Sequence, residues 1–143
     1  MTADEAPRSS GSQAPRPCAA DAIARILVVD DQPELAELLH VVLEGEGHVV
    51  TAVHSGEAAL ARLARQPYDL VICDLQMPDV DGVAVYRTAT QGVPPRPAVL
   101  LMTGYADSTT YGDFLQSTAV AVLTKPVGLD ALRAHAERLL AAR

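Results

Sequence analysis

Aromatic side chains are nearly missing from this sequence, which has no tryptophan, one phenylalanine and four tyrosines in 143 residues. A buried core must then come from Val, Leu, Ile and Ala. Cysteine is scarce too, with Cys18 in a polar leader and Cys73 inside an apolar run. Two thiols so placed make no disulfide framework, and they suit reduced, cytoplasmic surroundings. No apolar run approaches the roughly 20 residues that span a bilayer, so no membrane segment is expected. The N-terminus lacks the continuous hydrophobic stretch of a secretory signal. Basic residues are outnumbered, giving a net charge of −7 and a pI of about 4.9. A nucleic-acid face needs clustered Lys and Arg, so direct nucleic-acid binding is not expected. Local binding of a phosphorylated group remains compatible with that charge.

What is present is globular: 49% hydrophobic and 20% charged residues in a length suited to one domain. Residues 1–22 are the exception. They are rich in Ala, Pro, Ser and Gly, cannot bury enough surface to offset ordering entropy, and read as a disordered tail. Residues 23–143 read as a single domain in which short apolar runs alternate with helical segments. Arg25–Val29 is a β-branched run ending in Asp30-Asp31. From Pro33 to Glu44, apolar residues at 35, 38, 39, 42 and 43 have helical spacing, opened by Pro33 and closed by Gly45 and Gly47. His48–Val53 reads as a second strand, and Ser55 caps a helix that Pro67 ends. Leu70–Asp74 is a third strand that again ends in a carboxylate. A loop with Met77-Pro78 and Asp81-Gly82 leads into a third helix fading near Gly92, with Asp81 a candidate cap. Ala98–Met102 is a fourth strand, followed by Thr103-Gly104. Asp107–Gln116 is a weak helix because it contains Thr109, Thr110 and Gly112. Val120–Leu123 is a fifth strand, followed by Lys125-Pro126, and Leu129–Leu140 is the last helix.

Apolar strands separated by helices imply a parallel sheet covered on both faces and joined by right-handed crossovers. The expected fold is a doubly wound, five-stranded α/β domain. Ligands of such sheets sit beyond the carboxyl ends of the strands. Asp30, Asp31, Asp74, Thr103 and Lys125 all fall there. Each alone would pass for a cap or turn residue; together they form a constellation. Carboxylates brought so close repel or raise each other's pKa, and a hard divalent cation relieves this. Mg²⁺ takes oxygen ligands in an octahedron. Asp31 and Asp74 would bind it directly and Asp30 through a water, with the Gln76 backbone carbonyl adding another oxygen. An aspartate can accept a phosphoryl group as an acyl phosphate. Thr103, Lys125 and the cation could then neutralise the phosphoryl oxygens.

Val28-Val29-Asp30-Asp31, Asp74-Leu75-Gln76-Met77-Pro78, Asp81-Gly82, Thr103-Gly104-Tyr105-Ala106-Asp107 and Lys125-Pro126 resemble the motifs of bacterial two-component receiver domains, over residues 24–143. The resemblance implies a flavodoxin-like sheet of strand order 2-1-3-4-5. It implies phosphorylation of Asp74 by a histidine kinase or a histidine phosphotransfer protein, with Mg²⁺ as cofactor. It also implies that Lys125 pairs with the phosphoryl group, that Thr103 moves toward it on activation, and that the Lys125–Pro126 bond is cis. Such a chain is a phosphoacceptor and not an enzyme beyond slow autodephosphorylation. Two positions depart from the family. Val122 stands where an aromatic switch residue is usual, and Thr118 where glycine is common.

Two readings from other classes stay beside this one. A metal-dependent phosphohydrolase with an aspartyl nucleophile would want an acid two residues after Asp74, where Gln76 stands, and a lid, for which the loops are short. A degenerate receiver serving only as a binding module would not need the intact acidic set and Lys125. Since no output domain follows Arg143, the chain is expected to act by docking to a downstream protein or as a phosphate shuttle or sink. Its origin as one domain of a hybrid kinase stays open.

Overall fold

The computed structural model describes residues 23–104 and 110–142. The tail of residues 1–22, with Cys18, and the segment 105–109 lie outside the described residues. Ten elements alternate through the rest: β1 (Arg25–Val29), α1 (Pro33–Gly45), β2 (Val49–Val53), α2 (Gly56–Arg65), β3 (Leu70–Asp74), α3 (Gly82–Gln91), β4 (Ala98–Thr103), α4 (Gly112–Ser117), β5 (Ala121–Thr124) and α5 (Leu129–Ala141). The five strands form one parallel sheet, as their alternation with helices leads one to expect, in the order β2-β1-β3-β4-β5 that the resemblance implies.

The apolar strand runs are continuous because both faces of the sheet are covered. Along β1, Ile26 and Val28 join Leu39 and Leu43 of α1, and Leu132 and Leu140 of α5, in one core. Leu27 and Val29 point the other way, into a second core with Ala59 of α2 and Val85 of α3. Pro33 opens α1 at its first turn, and Gly47 follows its end at φ +96°, a left-handed conformation that glycine adopts without a Cβ penalty. Ser55 caps α2 by accepting from the Ala58 amide at 3.1 Å.

Several boundaries differ from the sequence reading by a residue or more, and three of the differences have a visible cause. β2 starts at Val49, because His48 is held outside the strand with its ring Nδ1 accepting from the Ala24 amide. β5 runs Ala121–Thr124, one residue later than the apolar pattern, since the ladder with β4 continues to Thr124 after the apolar residues end. The weak helix expected over 107–116 is broken at Tyr111 (φ −117°, ψ 16°), and α4 resumes at Gly112. Its earlier residues 107–109 lie outside the described residues.

Two glycines set how closely the loop after β3 can fold back. A Cβ on Gly56 would strike the Val80 carbonyl, and one on Gly82 would stand 2.6 Å from both the Asp74 carbonyl oxygen and the Leu75 Cα. Those atoms are backbone and cannot swing aside. Gly82→Ala is therefore expected to lower stability by roughly 1–3 kcal/mol, the scale of overpacking. Gly92→Ala, whose Cβ would meet the Thr88 carbonyl oxygen at an ordinary 3.5 Å, should stay within about 0.5 kcal/mol of the parent. Urea unfolding of the two variants beside the parent checks both figures.

Candidate functional site

Parallel strands all end on the same edge of a sheet, so the residues just beyond β1, β3, β4 and β5 must gather there. Backbone hydrogen bonds fix that edge. The Asp30 amide donates to the Val53 carbonyl (3.2 Å), Leu75 to Met102 (2.9 Å), and Lys125 to Thr103 (2.7 Å). The Lys125–Pro126 bond is cis, as the resemblance implies.

The three carboxylates meet. Asp30, Asp31 and Asp74 each offer an oxygen within 4.8 Å of the others. Asp30 is fully buried, Asp74 is 5% exposed, and Asp31 faces solvent. Asp30 Oδ1 accepts from the Gln32 amide at 2.8 Å, which orients the carboxylate. Lys125 comes from β5 across the end of β4, and its Nζ lies 3.2 Å from both Asp30 Oδ2 and Asp74 Oδ2. The contact to Asp30 is an ion pair by distance, yet Oδ2 has no well-aligned hydrogen-bond donor. One ammonium thus faces two buried carboxylates.

Burial pushes the Asp74 carboxyl up from 3.8 to about 6; Lys125 opposes that rise, while Asp30 and Asp31 add to it. Burial also works to lower the Lys125 ammonium, but Asp74 and Asp30 outweigh it and hold its pKa above the ordinary 10.5. The Cys73 thiol beneath is pushed well up by burial and by the charges of Asp74, Asp30 and Asp81, and its Sγ donates to the Asp74 carbonyl at 3.2 Å. A thiol held protonated in this way packs and does not attack.

Above the carboxylates opens a cavity of about 530 Å³, bounded among others by Asp31, Gln32, Asp74, Gln76, Gly104 and Lys125. Asp30 and Thr103, both buried, are not part of its lining. The donor set suits a small hard cation: three carboxylates converge, and one has an oxygen that no hydrogen bond satisfies.

The response regulator receiver domain family matches residues 26–137. The chain belongs to that family. It is 37% identical over 116 residues to the transcriptional regulatory protein ZraR of Escherichia coli K12, covering 81% of this chain and 26% of that protein. It is 38% identical over 104 residues to the DNA-binding response regulator MtrA of Mycolicibacterium smegmatis, covering 71% of this chain and 44% of that protein. The chain thus spans between about a quarter and under half of these relatives. Among solved structures, it resembles the signal receiver domain of a signal transduction histidine kinase from Syntrophus aciditrophicus. That likeness has 33% identity and a TM-score of 0.74, and covers 83% of this chain and 91% of that one.

Within this receiver domain, Asp30, Asp31 and Asp74 come together, and Lys125 reaches Asp30 and Asp74. Val122 is half-buried in β5, paired in register with Leu101. Thr118 directly follows α4. Asp81 is the cap of α3, its Oδ1 accepting from the Ala84 amide at 3.1 Å. Asp79 is an exposed turn residue at φ 65°. Leu132 and Tyr86 pack, Leu132 in the core and Tyr86 edge-on against Phe114. The sequence reading did not find the hydrogen bond that the Tyr111 hydroxyl donates to Asp81 Oδ2 at 3.0 Å. No local pattern links residues 30 positions apart in different elements. Among the described residues, no helix is long and apolar enough to cross a membrane.

The raised carboxyl of Asp74 has a consequence for stability. Its folded pKa of about 6 lies above the ordinary 3.8, so its contribution is present below the lower value and lost as pH rises through the higher. Above about pH 6 the ionised group is a net cost even with Lys125 beside it, because the attraction of Lys125 is already part of that value. Asp74→Asn removes the cost. In chelator, which keeps cations out, the variant should be more stable than the parent at pH 7.5 by roughly 1–3 kcal/mol, with the gap closing toward pH 4. Thermal unfolding across pH measures this; a variant less stable at pH 7.5 would contradict it.

Proposed function

We propose that this receiver domain accepts a phosphoryl group on Asp74, with Mg²⁺ bound beside it, and relays the event by docking to a downstream protein. The observation carrying this reading is the pair of buried carboxylates, Asp30 and Asp74, sharing one ammonium. Such a site has room for more positive charge and is open to a donor through the cavity above it. Asp31 and Asp74 would hold the cation directly and Asp30 through a water, with the Gln76 carbonyl completing the protein's share. When bound, Mg²⁺ supplies charge neutralisation for the transferring phosphoryl oxygens.

The chain's own residues do the rest. Asp74 is ionised above about pH 6, and one of its oxygens forms the new bond to phosphorus. The phosphorus–nitrogen bond of a phosphohistidine donor breaks, its electron pair returns to the imidazole nitrogen, and that nitrogen takes up a proton. Lys125, already 3.2 Å from Asp74 Oδ2, then pairs with a phosphoryl oxygen. Thr103, buried at the end of β4, supplies a hydroxyl to a second oxygen after moving toward it. A histidine kinase or a histidine phosphotransfer protein fits as donor, and the cytoplasm as the compartment. Gln76, an exposed amide two residues after Asp74, offers no acid for a phosphohydrolase.

Incubation with acetyl phosphate and Mg²⁺ should add one phosphoryl group by mass, and Asp74→Asn should abolish the gain while keeping the fold. Phosphoryl groups still accumulating on that variant would sink the assignment. Asp31→Asn should raise the Mg²⁺ needed for a half-maximal beryllofluoride response by at least about 10-fold, the lower end of what losing even an outer partner costs. Titration followed by amide NMR measures it, and an unchanged midpoint would remove Asp31 from the ligand set.

A further inference from the structure

Asp81 is held from two sides. Its Oδ1 caps α3 through the Ala84 amide, and its Oδ2 accepts the Tyr111 hydroxyl at 3.0 Å. Tyr111 is the residue immediately before α4, so one carboxylate joins the starts of α3 and α4. The next residue, Gly82, sits so close to Asp74 that a Cβ would stand 2.6 Å from its carbonyl oxygen, and the Gly82 amide donates to Leu75 at 2.8 Å. The backbone at Gly82 is thus packed directly on that of Asp74 and Leu75, and a displacement there is positioned to reach Asp81 and with it the acceptor of the Tyr111 hydroxyl.

α4 itself is weakly fixed. It has six residues and buries none of them fully. It also meets α3 in the edge-on packing of Phe114 against Tyr86, with ring centroids 5.5 Å apart. That contact tolerates sliding, whereas a hydrogen bond is lost within about an ångström of displacement. Phe114 therefore acts as a pivot and Tyr111 as a catch. Val122, stiff at χ1 and half-buried in β5, has no comparable motion to offer.

We propose that the Tyr111–Asp81 hydrogen bond is a latch through which α4 responds to the state of Asp74, in place of the aromatic residue that position 122 lacks. The proposal rests on the phosphoacceptor reading above. The latch holds α4 against the start of α3 in the unmodified chain. Phosphorylation draws on the Asp74 end of the same packed backbone, so the latch and the acceptor site bias one two-state element.

Tyr111→Phe tests this, since it removes the hydroxyl and keeps the ring that packs on the second core. In the unmodified protein, amide exchange within Gly112–Ser117 should speed up about 3- to 10-fold, the worth of one such bond, with strand amides unchanged. Beryllofluoride with Mg²⁺ then stands in for the phosphoryl group. In the parent, amide shifts should spread from Asp31 and Leu75 into Gly112–Ser117. In Tyr111→Phe, the shifts near Asp74 should persist while those in α4 fall by at least about half. Equal exchange rates, or equal α4 shifts in the two proteins, would overturn the latch. No response near Asp74 in either protein is a different pattern; it would overturn the phosphoacceptor reading and the coupling with it.

Discussion

Two buried carboxylates drawing on one ammonium is the arrangement around which the rest of this receiver domain is organised. Asp30 and Asp74 come from neighbouring strands, and Lys125 reaches both from the far side of β4. Coulomb attraction is strong at this depth because little water screens it, yet burial, with Asp30 and Asp31 adding to it, still leaves the carboxyl of Asp74 raised against the pull of Lys125. A site with surplus negative charge and an oxygen-rich opening is prepared for a cation. That preparation costs the empty protein some stability, as sites held ready for a partner commonly do.

The strain is tolerable because the acidic groups and Thr103 sit at the ends of strands held firmly in the middle of the sheet. β1, β3 and β4 are buried on both faces, and each is locked by its neighbours through a continuous ladder. The loop after β3 has little freedom either. Gly56 lets Val80 of that loop come up against the start of α2, Gly82 lets it fold back within contact distance of Asp74, and Asp81 ties it to the first turn of α3. Positions built in this way stay within a fraction of an ångström, which phosphoryl transfer requires of groups that must stand in line.

Most of this was legible from residue order alone, for identifiable reasons. Parallel strands have a fixed polarity, so a carboxylate after β1 and another closing β3 had to meet once the alternation of strand and helix was recognised. The two-sided burial of the strands was written in their unbroken apolar runs. Boundaries were harder. His48 looked like part of β2 until its ring was seen to accept from Ala24, and β5 ran one residue past its apolar pattern because a ladder does not require apolar side chains. The split of Lys125 between two partners and the reach of Tyr111 to Asp81 were hidden altogether. Both are side-chain contacts between elements distant in sequence, where no periodicity reports distance.

The origin of Lys125 has a consequence of its own. β5 is four residues long and lies at the sheet's rim, paired among the described residues with β4 alone. Rim strands open more readily than central ones, since a single ladder holds them. Each such opening would carry the ammonium away and leave Asp30 and Asp74 facing each other uncompensated. The electrostatics of the site and the fraying of its outermost strand are thus one equilibrium. Whatever settles on β5 from outside, by suppressing its breathing, would also keep the counter-charge at Asp74 in place.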